Sequence, residues 1–535
     1  MNSIGPISAE IVANALAYAS EEMGVAVRNS AYSPNIKERL DHSCALFDVR
    51  GRLIAQAEHI PVHLGSLPWG LRQTLALVRE RGGMHAGEMW VVNDPYISGT
   101  HLNDVTVIRP IFSDKRLIGY AANKAHHTDV GGSAPGSMPP DARDLFAEGL
   151  IVPPMLLVEN DAPVDATIAL FRANSRVPKA RAGDLRAQMA GNYTGERRLL
   201  EIVERYGVEG AELAFERLIT ASATRMRNAL RALGEGTFEA SDYLEDAGGR
   251  PTLRIALRLT LHDGRAHLDY DGTCSQVDAP LNAVFGVTLS GVAYALRAAT
   301  GAQIPMNEGC FAPVEVTVPE GTLLNPRRPA AVSGGNVETS TRNADVVLQA
   351  LALAARDRFG ACSGGTMSNV MLGGTRSNGD SWAFYETNGC GMGARPNDDG
   401  IDGIQCHMTN TLNTPIEAIE VDYPLRVVRY EFAAGTGGRG RHRGGDGLIR
   451  AIELTEGHAI ASLLADRHTL APPGALGGEP GSVGHHALVR DGGETQLPAK
   501  TRVDLQPGDV LVVQTPGGGG YGAPARGAGF KEAAS

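Results

Sequence analysis

Apolar side chains recur along this chain with two periods, one typical of helices and one typical of strands. Over residues 8–29 they return every three or four positions, which predicts an amphipathic helix with Ser8 as its N-cap. The predicted apolar stripe of this helix comprises Ile11, Val12, Ala15, Leu16, Ala19 and Met23. The same period predicts helices over 66–81, 184–233 (with a break near Tyr206-Gly207), 288–299 and 339–357.

Short apolar runs bounded by turn residues predict strands between these helices. Residues 44–55 are predicted to form a hairpin that turns at Arg50-Gly51, and residues 252–261 are predicted to pair with 266–270. From Tyr423 onward, short strands alternate with glycine-rich turns. The fold class predicted is therefore α+β, a mixed fold of several domains with a β-rich C-terminal region.

A further predicted hairpin spans residues 104–126. Its strands, 105–108 and 117–123, follow a short buried strand at 89–92 that ends at Asp94-Pro95. Its turn is at Ser113-Asp114-Lys115-Arg116, and a second group of polar residues lies at its open end. Because a hairpin makes neighbours of residues that are distant in sequence, these polar side chains are expected to meet.

Histidine and aspartate residues at that open end are the candidate metal ligands. His101 and Asp104 lie before the first strand, and His126, His127 and Asp129 follow the second. A divalent cation binds the neutral imidazole nitrogens and carboxylate oxygens that they supply. Their spacing matches none of the strong zinc motifs, and a single polar residue at a strand end is more often a turn or surface group. Several of them at one end of a hairpin nevertheless favour a hairpin-based metal site.

The chain has 535 residues, more than one hydrophobic core usually organises, so two or three domains are expected. We predict an N-terminal metal-binding and catalytic region with a long helical segment over 1–235 and a mixed α/β region over 236–422. The β-rich region then covers 423–535. The 66 glycines predict many tight turns.

Charge and cysteine usage exclude several classes of protein. A formal net charge of −11, with no basic stripe, argues against a nucleic-acid partner. We find no apolar run of about 18 residues that could span a membrane, and we expect no signal peptide before residue 10. The six cysteines form no CxxC pair and are expected to be free thiols, which favours the cytoplasm.

Two glycine-rich stretches, 435–447 and 517–520, offer backbone amides to a phosphate. Neither contains the GxxxxGK[ST] motif, and the surrounding pattern predicts strands and turns instead of a strand–loop–helix unit. Tight turns are therefore the favoured interpretation. Arg439, Arg441 and Arg443 in the first stretch could still bind a phosphorylated intermediate or contact a partner subunit.

A rival chemistry is indicated at Cys362. Residues 360–364 read Gly-Ala-Cys-Ser-Gly, the spacing of a nucleophile elbow with Cys in place of Ser. The preceding residues, 351–359, are predicted to be helical and not extended, and no sequence signal links a histidine or acid to this cysteine. A small buried cysteine in a turn is the favoured interpretation.

Six segments along nearly the whole chain carry recognisable motifs: 36–48, 93–104, 125–139, 335–340, 408–417 and 440–447. In this order they resemble the hydantoinase B family, whose members are related to the second half of 5-oxoprolinase and to subunits of caprolactamase and of acetone and acetophenone carboxylases. His42 is one small departure, because it stands where an aromatic residue is common.

The resemblance implies one divalent metal ion, Zn, Mn or Fe, held at the positions of Asp41, His101, Asp104 and His126. It places His127 beside these ligands or facing the substrate, and the two adjacent histidines could exchange roles. It also implies the catalytic subunit of an ATP-dependent amidohydrolase that opens cyclic amides such as hydantoins or lactams. The implied partner is an ATP-binding, hydantoinase A-like subunit, expected in a heterotetramer.

Division of the work between two subunits fits the chemistry of cyclic amides. Their carbonyl carbon resists hydroxide because the amide is resonance-stabilised, so the partner would first phosphorylate the amide oxygen with ATP. In this chain the metal would activate water, and His127 or Asp129 could move the proton. Asn336, Arg441 and Arg443 are candidates for binding the substrate or its phosphate, although Asn336 could equally cap a helix.

Two other functions stay open. The close alternative is a subunit of an ATP-dependent carboxylase of the acetone or acetophenone type, in which the same site would bind a phosphorylated enol and carbon dioxide. The second is a non-catalytic scaffold with a structural metal. Four protein ligands that close a tetrahedron would favour the scaffold, whereas an open coordination position favours catalysis.

The missing phosphate-binding motif generates a first prediction. The purified chain alone should neither bind nor hydrolyse ATP, because nothing in its sequence forms a nucleotide-binding loop. Isothermal titration calorimetry with ATP and Mg²⁺ checks this. Tight binding by the isolated chain would contradict the assignment of ATP to a partner.

Overall fold

The computed structural model describes residues 5–57, 59–301 and 304–524. A wider helical turn, Gly335–Thr339, leads directly into the ninth helix. The helices of the described ranges are α1 (Pro6–Ser30), α2 (Pro34–Lys37), α3 (His63–Arg79), α4 (Pro95–Ser98), α5 (Asp165–Ala173), α6 (Pro178–Tyr206), α7 (Val208–Arg231), α8 (Phe285–Thr300), α9 (Ser340–Ala354) and α10 (Ile416–Asp422).

The largest sheet holds the site and has seven strands. They are β1 (His42–Asp48), β2 (Leu53–Gln56), β3 (Met89–Val92), β4 (Asp104–Ser113), β5 (Arg116–His126), β6 (Met155–Glu159) and β7 (Ala162–Pro163). Their order across the sheet is β2-β1-β5-β4-β3-β6-β7, and each neighbouring pair is antiparallel.

Three smaller sheets follow along the chain. The first, in the order β11-β10-β9-β8, contains β8 (Gly236–Glu245), β9 (Pro251–His262), β10 (Arg265–Asp269) and β11 (Val314–Thr317). The remaining strands are β12 (Asn369–Thr375), β13 (Ser381–Glu386), β14 (Leu425–Ala433), β15 (Gly447–Leu454), β16 (His458–Leu464), β17 (His485–Arg490), β18 (Gly493–Leu497), β19 (Lys500–Leu505) and β20 (Val510–Gln514). They form a sheet β13-β12-β16-β19 and a sheet β14-β15-β20-β17-β18.

The predicted α+β class with a β-rich C-terminal region is confirmed, as are the hairpins β1–β2, β4–β5 and β9–β10. The predicted break between α6 and α7 is confirmed at Gly207, whose φ of 74° suits glycine. Strands β12 and β13 and helix α10 were not predicted. Since the β13-β12-β16-β19 sheet takes strands from both sides of residue 423, the three domain boundaries stay a prediction.

Helix α1 covers the predicted range 8–29 but begins two residues earlier. Gly5 is its N-cap and makes no side-chain capping bond, so the prediction for Ser8 was wrong: Pro6, a residue suited to the first helical turn, begins the helix. Val12 and Leu16 are buried as predicted, whereas Ile11 is 43% exposed. No helix in the described ranges is long and apolar enough to cross a membrane.

The seven-stranded sheet is covered on both faces. Ala121 and Ala125 of β5 pack with α1 and α6 in one apolar core. Tyr120 and Ala122, which alternate with them, belong to a second core that includes α3, α8 and α9. By the same alternation, His126 at the end of β5 points toward the second core and residue 127 toward α6.

Candidate metal site

The register of three antiparallel strands brings the site together. Asp104, the first residue of β4, is directly opposite His126, the last residue of β5. On the other side of β5, the backbone N–H of His126 donates to the carbonyl of Asp41, 3.0 Å away, just before β1 begins. Residues opposite each other in antiparallel strands point to the same face, so His126 lies between the two carboxylates.

His101 reaches the same point from the loop between α4 and β4. Gly99 ends α4 with a φ of 87°, and the backbone N–H of Asp104 donates to the His101 carbonyl at 3.1 Å. Asn93 stabilises this loop, because its side-chain amide donates to the carbonyl of Leu102 at 2.8 Å. The loop therefore presents the His101 ring beside the start of β4.

Three donor atoms lie close enough to share one metal ion. Nε2 of His101 is 3.1 Å from Oδ1 of Asp104 and 3.2 Å from Nδ1 of His126, and the latter two atoms are 3.4 Å apart. Ligand atoms about 2.1 Å from one tetrahedral ion lie about 3.4 Å from each other. The His101–Asp104–His126 cluster thus has the spacing of a metal site, and all three residues are buried.

The direction of the two imidazole rings and the position of Asp41 support this interpretation. Among the described residues, Nδ1 of His101 and Nε2 of His126 are buried without a hydrogen-bond partner, so each ring makes its polar contacts through the nitrogen in the cluster. Oδ2 of Asp41 is 4.0 Å from Nδ1 of His126, within reach of a fourth coordination position after a small movement.

The electrostatics of the cluster favour the protonation states that a metal requires. Burial would raise the pKa of Asp104, but His101, His126 and His63 around its carboxylate hold that pKa well below its ordinary value. Burial lowers the pKa of His126 and raises the pKa of Asp41. An ionised Asp104 beside a neutral His126 is the combination that binds a divalent cation.

His63, the first residue of α3, is a member of the site that the sequence did not reveal. Its Nε2 is 3.4 Å from Oδ2 of Asp104, and its Nδ1 is 2.9 Å from Oγ of Ser43. Second contacts of this kind fix the orientation of a ligating carboxylate. In the sequence His63 is a single histidine three residues before the predicted helix 66–81, and its role follows only from its contact with Asp104.

Tyr385, with the buried Arg39 behind it, packs against the other side of the His126 ring. The Tyr385 ring stacks on the His126 ring with centroids 4.5 Å apart, and the Arg39 guanidinium lies 4.8 Å from the centre of the Tyr385 ring. Arg39 also donates to Thr387 and Thr411 at 2.9 and 3.0 Å, and it donates to Asn35, whose side-chain amide donates to the His126 carbonyl at 2.7 Å.

Above the cluster lies a cavity of about 20 Å³, enough for roughly one water-sized group. Asn336, in the wide turn before α9, lines this cavity, and its Oδ1 is buried without a partner in the described residues. Wide turns of this type recur at functional sites. The cavity is lined by Asp41, Ile60, Val62, His101, Asp104, His126, Asn336, Val337, Met367, Tyr385, Thr387, Met408, Thr409 and Thr411.

His127 and Asp129 lie outside this lining. Nε2 of His127 is 2.8 Å from Oε1 of Gln188 on α6, on the opposite face of the sheet from His126. The Asp129 carboxylate accepts bonds from the backbone of Gly131 and Gly136 at 3.1 Å and forms an ion pair of 2.9 Å with Arg176. These contacts fix the loop after β5, and proton transfer by either residue stays a prediction.

The glycine-rich stretch also lies away from the cavity lining. Arg443 pairs with Asp402 at 2.9 Å and with Asp446 at 3.2 Å. Arg441 donates to the Pro396 carbonyl at 3.1 Å. Both arginines are therefore engaged with neighbouring loops, and their binding of a phosphorylated substrate stays a prediction.

The structure gives no support to a nucleophile at Cys362. Its segment is irregular and follows helix α9 instead of a strand, and the side-chain amide of Gln349 lies 3.5 Å from its sulfur. Burial, with Asp345 and Asp242 nearby, raises the pKa of the Cys362 thiol well above its ordinary value. A protonated thiol is a poor nucleophile.

Together these features define a multi-sheet α+β protein with a buried histidine–aspartate cluster beneath a small cavity, the arrangement of a metal centre. The sequence profile of the hydantoinase B/oxoprolinase family matches residues 5–524. The chain belongs to this family, which confirms the resemblance seen in the sequence.

Individual relatives agree with the family assignment. An uncharacterized protein of Methanocaldococcus jannaschii is 44% identical over 97% of this chain and 91% of its own length. The 5-oxoprolinase 1 of Arabidopsis thaliana is 36% identical over 94% of this chain and 41% of its own length. The crystal structure of ATP-dependent caprolactamase from Pseudomonas jessenii matches with a TM-score of 0.92 at 30% identity, covering 98% of this chain and 92% of that chain.

The chain spans about two fifths of the length of the 5-oxoprolinases that it matches. About three fifths of each of these 5-oxoprolinases therefore lies outside the match to this chain.

Metal content provides the direct test of the cluster. His101→Ala and Asp104→Ala should each lose bound metal, because each removes one of three donor atoms spaced for a single ion. Inductively coupled plasma mass spectrometry of the purified proteins measures the loss. Cys362→Ala is the matched control and should retain the wild-type content. Full occupancy in His101→Ala would overturn the site.

Arg39 should act as a positioning residue for His126. Arg39→Met removes the guanidinium that donates hydrogen bonds to Thr387, Thr411 and Asn35. Metal affinity should then fall about 10–100-fold, the usual effect of losing a residue that holds a metal ligand in position. Competition with a chelator measures the affinity. Lys37→Met, an exposed cation on the same turn, is the control. Equal affinities in the two variants would contradict this role.

Proposed function

We propose that this chain is the metal-dependent catalytic subunit of an ATP-dependent enzyme that hydrolyses a cyclic amide. The observation that carries the proposal is the His101–Asp104–His126 cluster, with three donor atoms 3.1–3.4 Å apart beneath a cavity. The similarity to 5-oxoprolinases and to an ATP-dependent caprolactamase supports an ATP-dependent enzyme that acts on a lactam.

Asp41, His101, Asp104 and His126 are the proposed ligands, and Zn, Mn and Fe all suit a mixed nitrogen and oxygen set. When bound, such an ion supplies Lewis acidity that activates water for attack on an amide carbon. Asp104 contributes the ionised carboxylate, and His63 holds its second oxygen in place. With Asp41 as the fourth ligand, catalysis requires a fifth coordination position that faces the cavity and admits water or substrate, whereas a closed four-coordinate ion would have a structural role.

The side chains that line the cavity offer both polar and apolar contacts, but its volume of about 20 Å³ holds roughly one water-sized group, so a ring can enter only when lining side chains move apart. Thr387, Thr409 and Thr411 line one part of the cavity with hydroxyl groups, and Asn336 contributes its unpartnered amide oxygen. Oδ1 of Asn336, buried without a partner among the described residues, would accept a hydrogen bond from a protonated imidate nitrogen or from a second N–H of the ring. Apolar side chains such as Met367 complete the lining and exclude bulk water.

ATP is assigned to a partner, an ATP-binding hydantoinase A-like subunit. A cyclic amide must be activated before hydroxide can attack it, and phosphorylation of its oxygen provides a good leaving group. The part of the 5-oxoprolinases that lies outside the match to this chain is the natural counterpart of such a subunit. A heterotetramer with two copies of each chain is the proposed assembly, and the free thiols of all six cysteines fit the proposed cytoplasmic location.

Activity of the assembled enzyme tests this function. The chain, co-expressed with a hydantoinase A-like ATP-binding subunit, should co-migrate with that subunit and open 5-oxoproline, a hydantoin or caprolactam only when ATP is present. Asp104→Asn should reduce turnover to background because the metal loses its only clustered carboxylate, whereas Cys362→Ala should retain turnover. Product analysis by mass spectrometry measures ring opening.

Other outcomes of the same assay identify the alternatives. Consumption of acetone or acetophenone with bicarbonate and ATP, without ring opening, would replace the hydrolase by a carboxylase subunit. Full ring-opening activity in Asp104→Asn would leave only a scaffold role for the site. Separate migration of the two chains, with no ATP-dependent turnover, would overturn the proposal.

A further inference from the structure

Strand β14 forms one edge of the five-stranded C-terminal sheet. Within the described residues it pairs with β15 on one side and with no other strand. Helix α10 covers only its beginning, where the Glu420 carboxylate accepts a bond of 3.1 Å from the backbone N–H of Val427. An uncovered edge strand is a ready template for pairing with another strand.

The uncovered part of β14 is apolar on one face. Val428, Tyr430 and Phe432 are 43%, 42% and 57% exposed, although large apolar side chains are usually buried. Tyr430 and Phe432 are two positions apart and share one face, and Val428 precedes them in the irregularity of register between Val427 and Arg429. The Arg450 side chain packs behind this face, with its guanidinium 4.4 Å from the centre of the Tyr430 ring.

The other face of the same segment carries opposite charges. Arg429 and Glu431 are both about half exposed and form an ion pair within the strand. Exposed charges usually protect an edge strand against pairing with another chain. Here the two charges have opposite sign and flank Tyr430 symmetrically, so they protect against most strands but not against an identical one.

We propose that β14 pairs with β14 of a second copy of this chain, antiparallel and around a two-fold axis at Tyr430. In this arrangement Arg429 is opposite Glu431 of the second copy, and Glu431 is opposite Arg429. The two Tyr430 side chains are opposite each other on the apolar face, and each Phe432 lies next to the irregular segment of the second copy that contains Val428. Opposite charges and apolar pairs at directly opposed positions stabilise an antiparallel sheet.

The charges also select this register against its neighbours. A two-fold axis perpendicular to the sheet must pass through a residue pair, so the nearest alternatives place it at Arg429 or at Glu431. The first alternative sets Arg429 against its own copy, and the second sets Glu431 against its own copy. Like charges directly opposite each other destabilise a sheet, so only the axis at Tyr430 satisfies both faces.

The proposed interface continues beyond the strand. The Tyr430 hydroxyl donates to Oδ1 of Asn413 at 3.0 Å, and Leu412 beside it is 57% exposed. Thr411, the residue before Leu412, lines the cavity at the metal cluster. The proposed dimer interface therefore includes the loop 411–413, which forms part of the proposed active site. The pairing of the strands does not depend on the proposed chemistry.

Sedimentation velocity of the full chain, without any partner, tests the pairing. The wild-type chain should dimerise, and Arg429→Glu should weaken dimerisation at least about tenfold because it sets acids opposite acids at two places. The double variant Arg429→Glu with Glu431→Arg restores every opposite pair and should recover the wild-type dissociation constant. A monomeric wild type, or a dimer indifferent to both variants, would overturn the proposal.

A second measurement keeps the test independent of folding effects. In Tyr430→Cys the two introduced thiols would face each other across the axis, where Cα atoms lie about 4.5–5.5 Å apart, so mild oxidation should produce a disulfide-linked dimer. Val421→Cys, at a residue that is 79% exposed on α10, is the control and should stay monomeric on a non-reducing gel. Equal cross-linking of the two variants would reject the symmetric strand pair.

Discussion

The register of β1, β5 and β4 is the constraint on which the rest of the site depends. It sets His126 directly opposite Asp104 and beside the backbone of Asp41, so imidazole and carboxylate meet on one face of the sheet. A shift of one residue would turn His126 toward α6 and put His127 in its place. The apolar cores on both faces prevent that shift, because Tyr120 and Ala121 would exchange their surroundings.

The buried polar groups around the site need hydrogen-bond partners, and these partners come from distant parts of the chain. Arg39 is fully buried and donates to Thr387 and Thr411, more than 340 residues away along the chain. An unpaired buried guanidinium is costly, so the arginine and its acceptors fix each other's positions. The N-terminal sheet and the middle region therefore form one site, with Tyr385 from β13 stacked on His126 from β5.

Much of the local structure followed from the sequence. The period of the apolar residues predicted α1 and the α6–α7 pair, and turn residues predicted the β4–β5 hairpin. Ser8 as N-cap was wrong, and β12, β13 and α10 were missed, although Asn378-Gly379 between β12 and β13 is a typical hairpin turn sequence. His63 and Arg39 were also missed as site residues, since a histidine in a helix and an arginine in a loop carry no signal without their neighbours.

The sequence by itself determined the chemistry available: imidazole and carboxylate at the open end of a hairpin, no phosphate-binding loop, and motifs typical of the hydantoinase B/oxoprolinase family. Only the tertiary structure decided that His126 and not His127 joins Asp104, and that Asp129 binds Arg176 instead of facing the cavity. Local propensities act over a few residues, whereas the direction in which a side chain points within a sheet depends on strand register and on the core packed against each face.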